Sequence, residues 1–181
     1  RAFQAAFVIA GLTAVKKMAD GLRDLADAGG EAGSIGENFK KLGGSASQID
    51  KAKASVMGMV ESFDLMQISN KGLLAQIPGW NRSFAEIAEL GGRVADALGK
   101  DTKQSIDDLT DAIVKGQFKA LKPLGFTFTD TANKALVTKE ALAQLPEVIA
   151  RLAPVTDSVS NAQNALSVAL DEAYKRIGIA I

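Results

Sequence analysis

Apolar residues recur every three to four positions along most of this chain, the spacing of one face of an α-helix. Phe3, Phe7, Leu12, Val15, Met18, Leu22 and Leu25 trace a long lead helix that ends near Gly29. The stretch "GGEAGSIG" (29–36) then breaks the pattern with four glycines and reads as a hinge, followed by a short helix around "ENFKKL". Ser45 and Gln48 have capping-box spacing and open a helix through about Phe63, with Ile49, Val56, Met59, Val60 and Phe63 inward. Residues 64–82 mix apolar side chains with Gly and Pro and keep no period, so they read as an irregular connector with room for one short helix.

The clearest pattern follows. Ser83 and Glu86 form a second capping box and open a helix whose inward positions are Phe84, Ile87, Ala88, Gly91, Val94, Ala95 and Leu98. Glycine costs about 1 kcal/mol relative to alanine inside a helix, so Gly91 on the apolar face implies close approach of a neighbouring helix. Gly99 ends this helix, and Asp101 with Gln104 starts the next, with Ile106, Leu109 and Ile113 inward and Gly116 as its stop. Phe118, Leu121 and Leu124 close the bottom of the resulting hairpin. Phe126 and Phe128 alternate with Thr, and "DTANK" turns the chain toward "ALV", which admits a small β-hairpin over 126–137. Thr138 caps a helix that Pro146 kinks or restarts. Asp157 or Ser158 begins a last helix, in which Val159, Ala162, Leu166, Ala169, Ala173 and Ile177 approach heptad spacing.

The fold class expected is all-α, a multi-helix array of helical hairpins. It divides into a lead helix and Gly-rich hinge (1–42), a helical-hairpin segment (43–125), and the small hairpin with C-terminal helices (126–181). The chain has 181 residues, enough for one domain with its own core. It opens on Arg1 and stops on the apolar run "IGIAI", so both ends read as cuts in a longer polypeptide.

Charge and composition narrow the chemistry. The 21 basic and 21 acidic residues balance, which leaves no electrostatic footprint for sequence-specific nucleic-acid binding. With no Cys, disulfides, thiolate metal sites and Cys nucleophiles are excluded. With no His, the commonest general base near neutral pH and the commonest metal ligand are missing too. The lead stretch "AFQAAFVIAGLTAV" (2–15) falls short of the roughly twenty apolar residues a bilayer span needs. It reads as a buried or coiled-coil helix, with a membrane-prone piece flanked by Lys16 and Lys17 as the alternative. A signal peptide does not fit, because the helical pattern runs on past it with no cleavage site.

Each candidate site has a plainer reading. The glycines of 29–36 lack the GK[ST] ending of a phosphate-binding loop. Asp107 and Asp111 lie four apart on one helix face, where two carboxylates meet a hard cation; two ligands are too few, and Lys103, Lys115 and Arg93 are near as counter-charges. Glu86 and Glu89 lie three apart on one helix and cannot flank a glycosidic bond from opposite sides. Trp80 either contacts a partner or plugs a core beneath a loop, and Tyr174 near the heptad-like seam needs no special role. No catalytic, cofactor-binding or metal-ligating residue is therefore expected, and no cofactor. The chain does not read as an enzyme.

The stretch "FAEIAELGGRVADALGKDTKQSIDDLTDAIVKGQFKALKPLGF" (84–126) resembles the helical segment of tailed-bacteriophage tail tape measure proteins. An Ala-rich helix, a turn and helix of the type "ALG-D" then "LT-I-G", and an "L--LG" ending carry the likeness. The residues are Ala97, Leu98, Gly99, Asp101, Leu109, Thr110, Ile113, Gly116, Leu121, Leu124 and Gly125. "FVIAGLTAVKKMADGLRDLADA" and "NAQNALSVALDEAYKRIG" resemble the helices to either side. The chain departs from the family in lacking a long uninterrupted coiled coil and a full transmembrane segment, gaps that suit a fragment.

The resemblance implies a virion protein of the tail, assembled in the host cytoplasm. It would sit in the tube lumen, set tail length, template tube assembly and later be ejected to aid DNA delivery. Implied partners are the tail tube protein, tail assembly chaperones, baseplate or tail-tip proteins, further copies of itself, and the host membrane. The alternatives are a membrane-active helical module and an unrelated helical adaptor.

Overall fold

The computed structural model describes residues 29–156 and 159–179. The helices run in the order α1 (29–41), α2 (Ala46–Ser55), α3 (Ser62–Leu74), α4 (Trp80–Leu98), α5 (Thr102–Val114), α6 (Phe118–Leu121), α7 (Lys134–Ala150) and α8 (Val159–Ile179). A 3-10 turn, Lys122–Leu124, continues α6. There is no strand among the described residues, so the chain is an all-α, multi-helix array. The lead helix expected over Phe3 to Leu25 lies outside the described residues.

Helix α4 is the axis of the body, with α2, α5 and α7 packed around it and α3 against α5. Its buried stripe of Phe84, Ile87, Ala88, Leu90 and Ala95 meets a core reaching from Phe39 to Ile149. Each large apolar side chain so buried contributes roughly 1.5–3 kcal/mol. A Cβ at Gly91 would lie 2.8 Å from the Ile106 Cα, so α5 crosses α4 at the glycine, as expected. Gly92 does the same on its other side, where a Cβ would lie 2.7 Å from Val56 Cγ1. Leu98, expected inward, is exposed at the last turn.

The hairpin signals of α4 and α5 hold. Gly99 ends α4 in the left-handed region at φ 62°. Asp101 caps α5 by accepting from the Gln104 amide at 2.7 Å, and Gly116 follows its end at φ 60°.

Several other expectations fail for identifiable reasons. The Gly-rich hinge at 29–36 is helical as part of α1, with Ala32 and Phe39 buried seven residues apart on one face. Burial of that face outweighs the propensity cost of its glycines. The helix expected to reach Phe63 stops at Ser55, because Met57 and Gly58 adopt φ 54° and 75°. Their amides bond back to the Ala54 and Lys53 carbonyls at 3.0 and 2.9 Å. The break lets Val56, Met59 and Val60 all be buried. The supposed connector 64–82 is largely α3 and the start of α4, which begins at Trp80 rather than Ser83. Ser45 does precede α2, but its side chain makes no cap bond.

No β-hairpin forms over 126–137. Instead, side chains of α7 take the place of a strand partner. The Thr127 amide donates to Gln144 Oε1 at 3.0 Å, and Gln144 Nε2 donates to the Thr127 carbonyl at 2.8 Å. The Thr129 amide donates to Glu140 Oε2 at 3.1 Å. Asn133 caps α7 by accepting from the Leu136 amide at 3.1 Å, so "ALV" is a first helical turn. Thr138, expected as the cap, lies a turn further in and donates to the Ile113 carbonyl of α5 at 2.7 Å. Helix α7 runs through Pro146 without a new start. Leu145, Val148 and Ile149 are buried around it, and their packing offsets the roughly 3 kcal/mol that an interior proline costs.

Candidate functional site

Asp107 and Asp111 stand together, as expected, but an ammonium group holds them. Lys71 Nζ of α3 lies 2.5 Å from Asp107 Oδ1 and 2.7 Å from Asp111 Oδ1. Lys115 bonds the other oxygen of Asp111. Burial would lower Lys71, yet the hydrogen bonds it donates to Asp107 and then Asp111 hold it above its ordinary value. The bonds from Lys115 and then Lys71 keep the Asp111 carboxyl below its own. The pair therefore ties α3 to α5, and no group of three or more metal-ligating side chains occurs among the described residues. Of the other cations named beside it, Lys103 pairs with Asp64 at 2.8 Å and Arg93 with Glu89 at 2.5 Å.

Arg93 also donates to the Leu152 and Ile149 carbonyls at 2.6 and 3.1 Å, fastening the end of α7 to α4. Burial, and then the charge of Glu89, push the Glu86 carboxyl above its usual value. Trp80 is core. Its indole lies where a Cβ on Gly72 would be, 2.0 Å from Cε2, and its Nε1 donates to the Ser69 carbonyl at 2.9 Å.

Two surfaces have the form of binding sites; the first carries no motif in sequence, and the second is the helix with the heptad-like seam. The first is a groove of about 1070 Å³ between the end of α3, the end of α5 and the first half of α7. Ile77, Pro78, Val114 and Leu142 make its apolar floor, and Lys115, Lys134 and Lys139 stand on it. Beside the groove α5 ends against the start of α7: a Cβ on Gly116, at φ 60°, would lie 2.5 Å from the Lys134 carbonyl. Lys115 is engaged by Asp111, whereas Lys134 and Lys139 make no ion pair among the described residues. Such a surface takes an apolar body with a negative flank. Its residues come from three distant stretches, so periodicity within any one of them does not reveal it.

The second is α8, which polar side chains tie to the body, with Ala165 and Val168 half-buried between them. Glu172 is buried and accepts from Lys53 Nζ and the Ser62 amide, both at 2.5 Å, the latter at the start of α3. Lys175 bonds the buried Glu61. Just before α8, the Thr156 amide donates to Asp96 of α4 at 3.1 Å, and Asn161 donates to the same carboxylate at 3.3 Å. Desolvation opposes the charge of Glu172, but the bonds from Lys53 and Ser62 prevail and hold it below its ordinary value. The Thr156 amide lowers Asp96 in the same way. The side turned to solvent carries an apolar ridge, Leu166, Leu170 and Tyr174, exposed at 63%, 64% and 46%, among polar residues such as Gln163, Ser167 and Asp171. The seam expected through Ala162, Leu166, Ala169 and Ala173 therefore points outward. The chain matches no protein-family model, no curated protein and no solved structure.

Proposed function

We propose that this chain is a structural component of a bacteriophage tail, part of a tape measure protein that sets tail length and templates tube assembly within the tube lumen. The observation that carries the reading is what the residues of the resemblance do. Gly99, Gly116 and Gly125 turn the chain at φ 62°, 60° and 95°. Asp101 caps a helix, and Leu109, Thr110, Ile113 and Leu121 are buried. These eight serve helix ends or packing, as a part whose work is mechanical requires, while Ala97 and Leu98 of the same stretch are exposed.

The helices fold back on one another, so the segment adds the length of a packed body to a tail, well short of the roughly 1.5 Å per residue of a continuous helix. Its partners on this reading are the tube protein, the assembly chaperones, the baseplate or tail tip and further copies of itself, in the host cytoplasm during assembly and in the virion tail afterwards. During DNA delivery it leaves the tube toward the host envelope. No helix among the described residues is long and apolar enough to cross a membrane.

Gold-labelled antibodies against the purified chain, applied to opened virions of the phage that carries the gene, test the reading by electron microscopy. Label along or at the ends of tails is expected. Virions without label, together with mass spectra of purified tails lacking its peptides, overturn it. In-frame removal of the coding region measures the length contribution: tails shortened by much less than roughly 270 Å, the rise of 181 residues as one helix, are expected.

A further inference from the structure

The outward ridge of α8 and the groove lie at opposite ends of the α4–α5 hairpin. Helix α8 is tied to Asp96, near the end of α4. The groove is lined by Ser83, near its start, and by Val114 at the end of α5. Thirteen helical residues, about 20 Å, separate Ser83 from Asp96, so the ridge of one molecule does not reach its own groove. We infer that Leu166, Leu170 and Tyr174 of one copy seat in the α3–α5–α7 groove of a second copy, building a head-to-tail assembly.

Length and charge both fit this occupant. The ridge from Leu166 to Tyr174 spans about 12 Å, and the α7 wall of the groove from Lys134 to Ala143 about 14 Å. Helix-in-groove recognition uses apolar anchors at such i, i+4, i+8 positions. Asp171, exposed beside Leu170, has Lys175 of its own helix as its neighbouring charge but makes no close ion pair among the described residues, and Lys134 and Lys139 on the groove make none there either. Docking brings the carboxylate to those lysines and sets the direction in which the helix lies.

Other occupants fit less well. A membrane-surface helix carries an excess of Lys and Arg, while α8 sets Asp171 and Glu172 against Lys175 and Arg176. Two α8 ridges facing each other would leave the groove and its lysines without an occupant. The contact does not depend on the tail assignment.

Because a heterologous contact leaves one ridge and one groove open on every assembly, growth continues past the dimer until a ring closes. Sedimentation velocity of the full chain over a hundredfold range of concentration is expected to show mass increasing beyond the dimer. Leu170→Glu on the ridge and Ala143→Glu in the groove are both at exposed positions, and circular dichroism checks that each keeps its helix content. Each variant alone is expected to be monomeric. Mixed in equal amounts they are expected to form a dimer that grows no further, since one supplies the intact groove and the other the intact ridge. A monomeric wild type, an Ala143→Glu variant that still assembles (two ridges meeting), or a mixture that stays monomeric overturns the inference.

Discussion

Gly91 and Gly92 divide the neighbours of α4 between them, one admitting Ile106 of α5 and the other Val56 after α2. In an isolated helix, Ala at position 91 would stabilise by about 1 kcal/mol. Here the added carbon meets backbone at 2.8 Å, which only a shift of α5 relieves. Gly91→Ala is expected to destabilise the fold by about 1–3 kcal/mol, the usual cost of overpacking, read as a lower urea midpoint. Thr110 offers the opposite case. It is fully buried and its hydroxyl has no hydrogen-bond partner among the described residues. Thr110→Val keeps the shape and removes the stranded group, so a gain of about 1 kcal/mol is expected in the same titration. Gly91 was legible because it falls on a sustained apolar stripe. Gly92 sits one position off that stripe, and its neighbour Val56 lies in a segment that periodicity alone runs on as helix. Trp80 was ambiguous for a related reason: the Gly72 gap that receives it belongs to another helix.

Among the elements, those with local chemistry at both ends were readable, and α5 is the clearest. Asp101 and Gly116 mark it by interactions within a few residues. The misread segments owe their conformation to distant partners. Residues 126–133 alternate as a strand does, yet Gln144 and Glu140 of α7 supply their hydrogen bonds. The heptad-like stripe of α8 is real in sequence, but the carboxylates of Glu172, Glu61 and Asp96 draw the other face to the body. That attachment depends on pH. Glu172 and Asp96 have folded values below 4.5 and 3.8, so their contribution is full above those values and fades as pH falls through the lowered ones. Lys175 is desolvated, but its bond to Glu61 holds it above 10.5, so its contribution is lost as pH rises through the raised value. Hydrogen-exchange protection of α8, corrected for intrinsic rates, is therefore expected to be greatest between those limits and to fall in acid before that of α4. Glu172→Gln is expected to lower α8 protection near neutral pH while leaving α4 unchanged.

Across the whole molecule, a single buried cluster joins α1 through α7, from Phe39 to Ile149. A core without internal division unfolds as a unit. Trp80 fluorescence, which reports the α3–α4 contact, and far-ultraviolet circular dichroism, which reports all helices, are expected to give the same urea midpoint; separated midpoints would mean that the helices melt in groups. Sequence alone determined the all-α class, the α4–α5 hairpin with Gly99, Asp101 and Gly116 at its turns, the helical approach at Gly91 and the lack of cysteine and histidine chemistry. All of these follow from spacing and residue type within about one helical turn. Tertiary structure decided that the glycines of 29–36 are helix, that Trp80 is core, that Asp107 and Asp111 are held by Lys71, and which face of α8 meets solvent. Each of those outcomes turns on a partner outside the element itself, where packing and charge pairing outweigh the local preference of the chain.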